Sequence, residues 1–429
     1  MSTSGSILAA WMRCRRFLNW ETAVGLAGVV ALLLWCAVWA SSIQHHRLRG
    51  GHWTWFPGFQ YLGVDFLSGY QAARHWLDGG DPYREPFGDP LDRPVCYPRV
   101  ILPFFAWTHW LRPYRATVLG IAALALLAGL GAWVSWRTRQ RLGLQRVPRS
   151  FVLAAVLCST PVLFALERGN WDLLVLPCLI VSAWALERRS RQADITIGIV
   201  LALAAWIKIY PGLLVLALVI FRRPRSLISF AVACLFIGVF CLSDLPQVYQ
   251  NLKLVTAVNT PAGINVASHS LSNSWQYFWI DTRFAALARV PGTLVAILTV
   301  TSLLAWVGHR VYRCPQGTRL AYPFLLLLAT TATLLPWVAN DYNLFYLPLA
   351  ALAVWDRRDP VAVHVLMGFL LLWWQPILLP IGPSLVFVFK LCGVGATSVS
   401  LVARARELSA AARNAETPQP LVSALQQAA

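Results

Sequence analysis

The amino-acid sequence predicts an all-α integral membrane protein with about 12 transmembrane helices. Of its 429 residues, 58% are hydrophobic and only 13% are charged, whereas about a quarter of the residues in a soluble domain are charged. Apolar runs of about 15 to 22 residues recur along the whole chain, as they do in transmembrane helices. These two observations exclude a soluble or disordered protein, and the continuous runs exclude an outer-membrane barrel.

The net charge of +18 comes from 33 arginines and 3 lysines against 18 acidic residues. Most arginines form short clusters between apolar runs, which is typical of the cytoplasmic loops of multi-pass proteins rather than of a nucleic-acid-binding surface. The positive-inside rule assigns arginine-rich loops to the cytoplasm. For this chain it places both termini in the cytoplasm and predicts a cell (inner or plasma) membrane protein. The clusters assigned to the cytoplasm lie at 13–16, 137–149, 188–191, 222–225, 310–319, 357–358 and 404–413.

The expected organisation is a cytoplasmic N-terminal segment (1–21), a polytopic membrane domain (22–403) and a cytoplasmic polar tail (404–429). The first apolar run resembles a secretory signal, but it exceeds the apolar region of about 7–15 residues found in signals, so we favour a retained helix. The expected spans are 22–41, 116–136, 150–166, 171–187, 194–209, 210–221, 226–243, 291–309, 320–337, 342–355, 361–377 and 380–402.

A long outer loop with interfacial helices (42–115) follows the first span. Residues 66–77 predict a short amphipathic helix that ends at Gly79 and Gly80. Residues 100–111 are apolar but too short to span, so we expect them to lie in the membrane interface or to re-enter it. Making them a full span would place the later arginine clusters outside, against the charge rule.

Five polar motifs fall in the loops and turns predicted for the outer membrane face. Ionisable groups at membrane depth are costly, so their presence indicates a functional site. The motifs are GVDF at 63–66, ERGN at 167–170, KIYP at 208–211, SHSLSNS at 268–274 and NDYN at 340–343.

The residue types in these motifs suit the binding of a phosphorylated lipid and the deprotonation of an alcohol. Asp65 is the candidate base, and Lys208 and Arg168 are the candidate ligands of a phosphate. The sequence has no glycine-rich nucleotide loop and no hydrolase nucleophile elbow. We expect no metal and no cofactor, because few carboxylates converge and the nine cysteines show no ligand spacing.

The order of the motifs resembles glycosyltransferase family 87, the bacterial polyprenol-phosphate-mannose-dependent mannosyltransferases of the GT-C class. The stretches that carry the resemblance are GVDFLSGYQAARHWLDGGDPYREP, Cys96-Tyr97-Pro98, ERGNWDLLVLPCLIVSAWALERR and GIVLALAAWIKIYPGLLVLALVIFRRPR. The chain departs from the family at 167–172, which reads ERGNWD instead of Gly-Gln-x-Asn, and at 340–342, where some members have His.

The resemblance implies a GT-C-like helical bundle and an enzyme of cell-envelope biosynthesis. The expected reaction moves a sugar, first of all mannose, from a polyprenyl phosphate to a hydroxyl of a lipid or glycan, with inversion and with Asp65 as general base. Two other functions stay open: a transporter or flippase of lipid-linked sugars, and an enzyme like the O-antigen ligases or polymerases. The expected partners are the lipid-linked donor, the acceptor and the membrane, with no nucleic acid.

Each candidate also has a structural interpretation. Asp65 precedes a helix and is a candidate N-cap, Lys208 is a candidate for snorkelling to the interface, and Arg168 is able to pair with Glu167. A histidine in a polar loop packs there more often than it binds a substrate, and Asp341 is also a candidate helix cap. The substrate-binding candidates are Tyr70, Arg74, Tyr97, Asn170, His269, Asn273, Asn340 and Asp341.

Overall fold

The computed structural model describes residues 30, 63–208, 210–259, 269–336, 339–372 and 383–416, and every regular element within these ranges is helical. The expected first span therefore lies almost wholly outside the described residues. In chain order the α-helices are α1 Val64–Leu77, α2 Pro103–Ala106, α3 Pro113–Arg141, α4 Arg149–Leu157, α5 Thr160–Arg168, α6 Val175–Leu186, α7 Arg191–Ile207, α8 Val215–Ile220, α9 Pro224–Cys241, α10 Leu245–Asn259, α11 Leu271–Trp279, α12 Gly292–Arg313, α13 Ala321–Ala332, α14 Tyr346–Val354, α15 Val361–Leu372 and α16 Pro383–Glu416. Short 3₁₀ turns lie at Arg99–Ile101, Trp171–Leu174, Tyr210–Leu214, Ala285–Arg289, Gly317–Leu320 and Asp341–Phe345.

Four of the described helices are long and apolar enough to cross a membrane: α3, α9, α12 and the Phe387–Ala415 part of α16. The pair α4 and α5 makes a fifth if it counts as one span, although it is bent by 57°. The all-helical membrane architecture predicted from the sequence is confirmed. The described residues hold four or five membrane-capable helices, and the expected number of 12 spans stays a prediction.

Several expected spans are interrupted by breaks that hydropathy does not register. The run 150–166 is divided because α4 ends before Cys158 and α5 starts anew with Pro161 in its first turn. Proline lacks an amide hydrogen and its ring clashes with the preceding turn, so a helix does not continue smoothly through it. The runs that begin at 171, 210 and 342 each open with a 3₁₀ turn before a short α-helix.

The short helix expected in the first outer loop is confirmed as α1. It buries Phe66, Tyr70 and Ala73 on one face and exposes Arg74 on the other, which is the periodicity of an amphipathic helix. It ends where Gly79 takes a left-handed conformation with φ of 91°, as glycine does without steric cost. The buried face packs against α2 and α3.

Residues 100–111 do not form a spanning helix. Their only α-helical part is α2, whose four residues extend about 6 Å. Leu102 and Phe105 are buried, whereas Trp107 and Trp110 are exposed. Exposed tryptophans at such a place are typical of the membrane interface, and the interfacial location of this segment stays a prediction.

One end of the bundle is held together by arginines that bond to the carboxyl ends of helices. Arg139, near the end of α3, donates to the carbonyls of Leu352 (3.0 Å) and Trp355, where α14 ends. Arg223, just before α9, donates to the carbonyl of Leu186 (2.6 Å) at the end of α6. Helix carboxyl ends leave carbonyls without partners and carry partial negative charge, so guanidinium groups stabilise them.

The last helix continues where we expected a polar tail to begin at 404. Arg404 is buried in α16 and lies 2.6 Å from the carboxylate of Asp359, which also accepts a hydrogen bond from Ser400. The helix runs through Glu416. Residues 404–416 are therefore part of the helical domain, and 417–429 lie outside the described residues.

The described residues of the five polar motifs lie at the other end of the bundle. Helix α7 has Asp194, a partner of Arg223, in its first turn and Lys208 directly after its last. Its 17 residues extend about 25 Å, close to the hydrocarbon thickness of a bilayer, about 30 Å. Helices α6 and α14 likewise have an arginine contact at their carboxyl ends and a motif at their amino ends. The arginine-rich end and the motif end are thus separated as the charge rule predicts, while the side that faces outward stays a prediction.

Candidate active site

Two glycines bring the start of α1 against the end of α5. Gly63 is the N-cap of α1 and Gly169 the C-cap of α5, and both have left-handed backbones, with φ of 66° and 63°. The amide of Gly63 donates to the carbonyl of Glu167 at 2.7 Å. A Cβ atom on Gly169 would lie 2.7 Å from the Cβ of Phe66. Only glycine allows this close approach, which sets the first turn of α1 beside the last residue of α5.

Asp65 occupies the centre of the resulting cluster. The guanidinium of Arg168 binds its carboxylate through two hydrogen bonds, Nε to Oδ2 at 2.8 Å and Nη2 to Oδ1 at 2.7 Å. Arg93 donates to Oδ1 at 3.1 Å and Asn170 to Oδ2 at 3.2 Å. The indole of Trp171 donates to the main-chain carbonyl of Asp65 at 2.6 Å. The carboxylate is thus held by two cations and an amide.

This environment makes the carboxylate of Asp65 a stable anion. Burial opposes its ionisation, but the charges and hydrogen bonds of Arg168 and Arg93 outweigh burial and hold the pKa of Asp65 well below its usual range. A carboxylate with such a low pKa is a weak base in this arrangement. The N-cap interpretation of Asp65 is wrong, because Gly63 holds that position and the Asp65 side chain lies within the first turn.

Arg93 is a site residue that the sequence did not reveal to us. Its Nε and Nη2 atoms each lie 3.2 Å from a carboxylate oxygen of Asp89. Asp89 is itself fixed, because it accepts hydrogen bonds from the amides of Leu91 and Arg93, both at 2.9 Å. The available signal was the acid four residues before an arginine, which pairs naturally in a helix or tight turn.

Lys208 forms a second, deeper ion pair. Its ammonium lies 2.9 Å from Asp172, whose side chain is fully buried, and donates to the hydroxyl of Tyr97 at 2.8 Å. Asn343 donates to the other oxygen of Asp172. The lysine is only 12% exposed, so its headgroup is directed into the protein rather than snorkelling to the surface.

Asn170 joins the two ion pairs. Its amide nitrogen donates to Asp65, and its oxygen accepts from the backbone amide of Asp172 at 2.8 Å. Asp172 was also missed as a site residue, although an acid at the start of an apolar run is itself a sign of function. Asn343 was missed because its contact with Asp172 depends on tertiary packing.

The fourth motif packs beside this cluster. His269 is fully buried, its Nε2 lies 2.8 Å from the hydroxyl of Thr333, and its amide donates to the carbonyl of Ala339. Asn273 is also buried, and its side-chain amide has no hydrogen-bond partner among the described residues. The contact with Ala339 sets this segment next to Asn340, which caps the Asp341–Phe345 turn.

Two of the remaining candidates, Tyr70 and Arg74, make contacts away from the Asp65 carboxylate. The hydroxyl of Tyr70 is directed into the core and donates to the carbonyl of Leu111 at 2.7 Å. Arg74 is exposed and pairs with Asp78 at 4.0 Å. The side chain of Asp341 lies outside the described part of the chain. A substrate-binding role for these residues stays a prediction.

The site therefore combines carboxylates and cations from separate parts of the chain, and Asp65 and Arg168 are 103 residues apart in sequence. Asp65, Asp89 and Asp172 are paired with Arg93, Arg168 and Lys208. In the part of the chain that the structure describes, no three histidine, cysteine or acidic side chains gather as a metal-binding group. The site thus places three cations beside three carboxylates, and as the structure shows it each cation is paired with a carboxylate.

The model of glycosyltransferase family 87 matches residues 96–336, more than half of the chain. The matched range contains Arg168, Lys208 and His269 and begins after Asp65 and Arg93. Comparisons with curated proteins and with solved structures give no significant match. A glycosyltransferase acts on a sugar donor and an acceptor, and the apolar helices place this one in a membrane. The chain belongs to glycosyltransferase family 87 and is a membrane glycosyltransferase.

Proposed function

We propose that the protein transfers a sugar, with mannose as the first candidate, from a polyprenyl phosphate to a hydroxyl of a lipid or glycan at the outer face of the cell membrane. The observation that carries the proposal is the single cluster of Asp65 with Arg93, Arg168 and Asn170 at one end of the bundle. A lipid phosphate lies at the same depth as the end of a spanning helix. Family membership favours transfer over the transport and ligase alternatives.

In the proposed reaction the acceptor oxygen attacks the anomeric carbon from the face opposite the phosphate, which inverts that centre. The bond between the anomeric carbon and the phosphate oxygen breaks, and its electron pair stays on the phosphate. Asp65 takes the acceptor proton. Arg168 and Lys208 stabilise the negative charge that develops on the leaving phosphate.

The test is transfer of mannose from polyprenyl-phosphate mannose to a panel of lipid acceptors by the full chain in nanodiscs. Asp65→Asn keeps the size of the side chain but removes the base, so single-turnover transfer should fall by about 10²–10⁴-fold. Asp65→Glu keeps the carboxylate one methylene away and should be impaired without being inactive.

Asp281→Asn is the control, because it changes an exposed acid in the turn after α11 and should leave transfer unchanged. Thermal unfolding of each variant checks that it is folded. An Asp65→Asn enzyme with more than about a tenth of the wild-type rate would remove the base assignment. No transfer by the wild type from any polyprenyl-phosphate sugar would remove the donor assignment.

A further inference from the structure

The proposed roles of Asp65 and its arginines conflict in the site as the structure shows it. A general base needs a carboxylate that accepts a proton readily, but this one is fixed as an anion by Arg168 and Arg93. A phosphate site needs guanidinium groups that are able to face a ligand, but these two face Asp65. One change meets both requirements: the guanidinium groups give up their hydrogen bonds to Asp65 and bind a ligand instead.

We propose, on the basis of the function proposed above, that the phosphodiester anion of the donor competes with Asp65 for Arg93 and Arg168. Donor binding then frees the carboxylate to act as base, and Arg93 becomes a further ligand of the donor phosphate. The empty enzyme keeps Asp65 in an unreactive ion pair, so the base becomes active only when a donor is in place.

The exposure of the charged groups supports this exchange. The side chains of Arg93 and Asp65 are 20% and 13% exposed, whereas that of Asp89 is 1% exposed. A ligand that approaches from outside the protein therefore reaches the bond between Arg93 and Asp65 before the deeper pairs. Arg93 also keeps its two contacts with Asp89 when it leaves Asp65, so the guanidinium stays in place to receive the anion.

The surroundings of Asp65 determine in which direction its pKa changes when the anion binds. An anion that neutralises the two guanidinium groups removes the charges that favour the carboxylate, while burial, which opposes ionisation, remains. The pKa of Asp65 then rises, and binding of the anion is accompanied by uptake of protons. The charged and titratable groups around Asp65 are Arg93, Asp89, Arg168, Glu167, Lys208 and Cys96.

The experiment uses farnesyl methyl phosphate, a phosphodiester with one permanent charge and no sugar to transfer. Its affinity for the full chain in nanodiscs is measured by calorimetry at about pH 5, in two buffers with different ionisation enthalpies. Because the competing carboxylate is removed, Asp65→Asn should bind the probe at least about fivefold more tightly than the wild type. The wild type should take up protons on binding, and Asp65→Asn should take up none.

Asp194→Asn is a matched control. The pair of Asp194 with Arg223 has the same side-chain exposures, 13% and 9%, as the pair of Asp65 with Arg168, but it lies at the opposite end of the bundle. Its removal should leave probe affinity and proton uptake unchanged. Arg93→Gln should weaken probe binding by at least about fivefold and reduce the proton uptake.

Equal affinities of Asp65→Asn and wild type for the probe would overturn the competition. If Asp65→Asn does not fold, the absence of proton uptake by the wild type overturns it without any variant. Failure of the proposed function is seen separately: an Asp65→Asn enzyme that binds the probe more tightly yet transfers sugar removes the base assignment and leaves the competition standing.

Discussion

At the scale of single residues, the ammonium of Lys208 lies 2.9 Å from a carboxylate, Asp172, that is fully buried. Removing the lysine leaves a buried charge without its partner, which costs about 3–5 kcal/mol. Lys208→Ala should therefore lower the free energy of unfolding by about this amount. Adding Asp172→Asn removes the uncompensated charge and should restore most of the stability. Denaturant unfolding in detergent measures both effects.

The same pair of variants separates the structural from the functional role of the lysine. If the double variant regains stability but still binds the donor weakly, Lys208 contacts the phosphate as proposed. Recovery of both stability and donor affinity would leave Lys208 a structural role only.

At the scale of elements, the approach of α1 to α5 depends on Gly169. An alanine there lowers the free energy of unfolding by about 1–2 kcal/mol, because its backbone has to be left-handed. Its Cβ also forces Phe66 and Gly63 to move. Gly169→Ala should thus lose more stability than this and should slow transfer, because Arg168 shifts relative to Asp65. Thermal unfolding and single-turnover transfer measure the two losses.

Gly143→Ala is the control for this substitution. Gly143 has nearly the same backbone, with φ of 65°, but no atom lies within 4 Å of an added Cβ. The Gly143→Ala variant should lose only the stability that the left-handed backbone of an alanine costs, and it should keep full activity. Equal behaviour of the two alanine variants would show that close packing at Gly169 does not position the site.

Helices whose first and last residues are marked by nearby residues in the sequence were predicted well. Helix α1 was predicted to within two residues at its start, because its apolar spacing and the glycines after it are local signals. Long apolar runs were less informative, since the breaks at Pro161 and at the 3₁₀ turns change neither composition nor hydropathy.

The site residues also divide into those that local sequence identifies and those that it does not. Arg168 and Asn170 were identified because they interrupt apolar sequence between two spans, and Asp65 because it is an acid in the outer-loop stretch that resembles the family. The structure brings all three into contact. Arg93 was not identified, since it is one of many arginines in a polar loop and its contact with Asp65 joins residues that no local pattern relates.

At the scale of the whole molecule, the two polar ends of the bundle should lie on opposite sides of the membrane. In a variant without reactive cysteines, Asp78→Cys and Arg189→Cys introduce thiols at exposed positions of the motif end and the arginine-rich end. An impermeant maleimide should label the first in intact cells and the second only after permeabilisation. Labelling in the reverse order would invert the proposed topology and put the site on the cytoplasmic side.

The pairing of charges inside the site also bears on how the donor arrives. Each of the three cations of the site lies within 3.2 Å of a carboxylate, so the fields of the paired charges largely cancel beyond a Debye length of about 8 Å at physiological salt. The paired charges of the site then exert little long-range attraction on an anion. The proposed lipid-linked donor would therefore reach the site by lateral diffusion within the bilayer, and selection among lipids would take place only on contact.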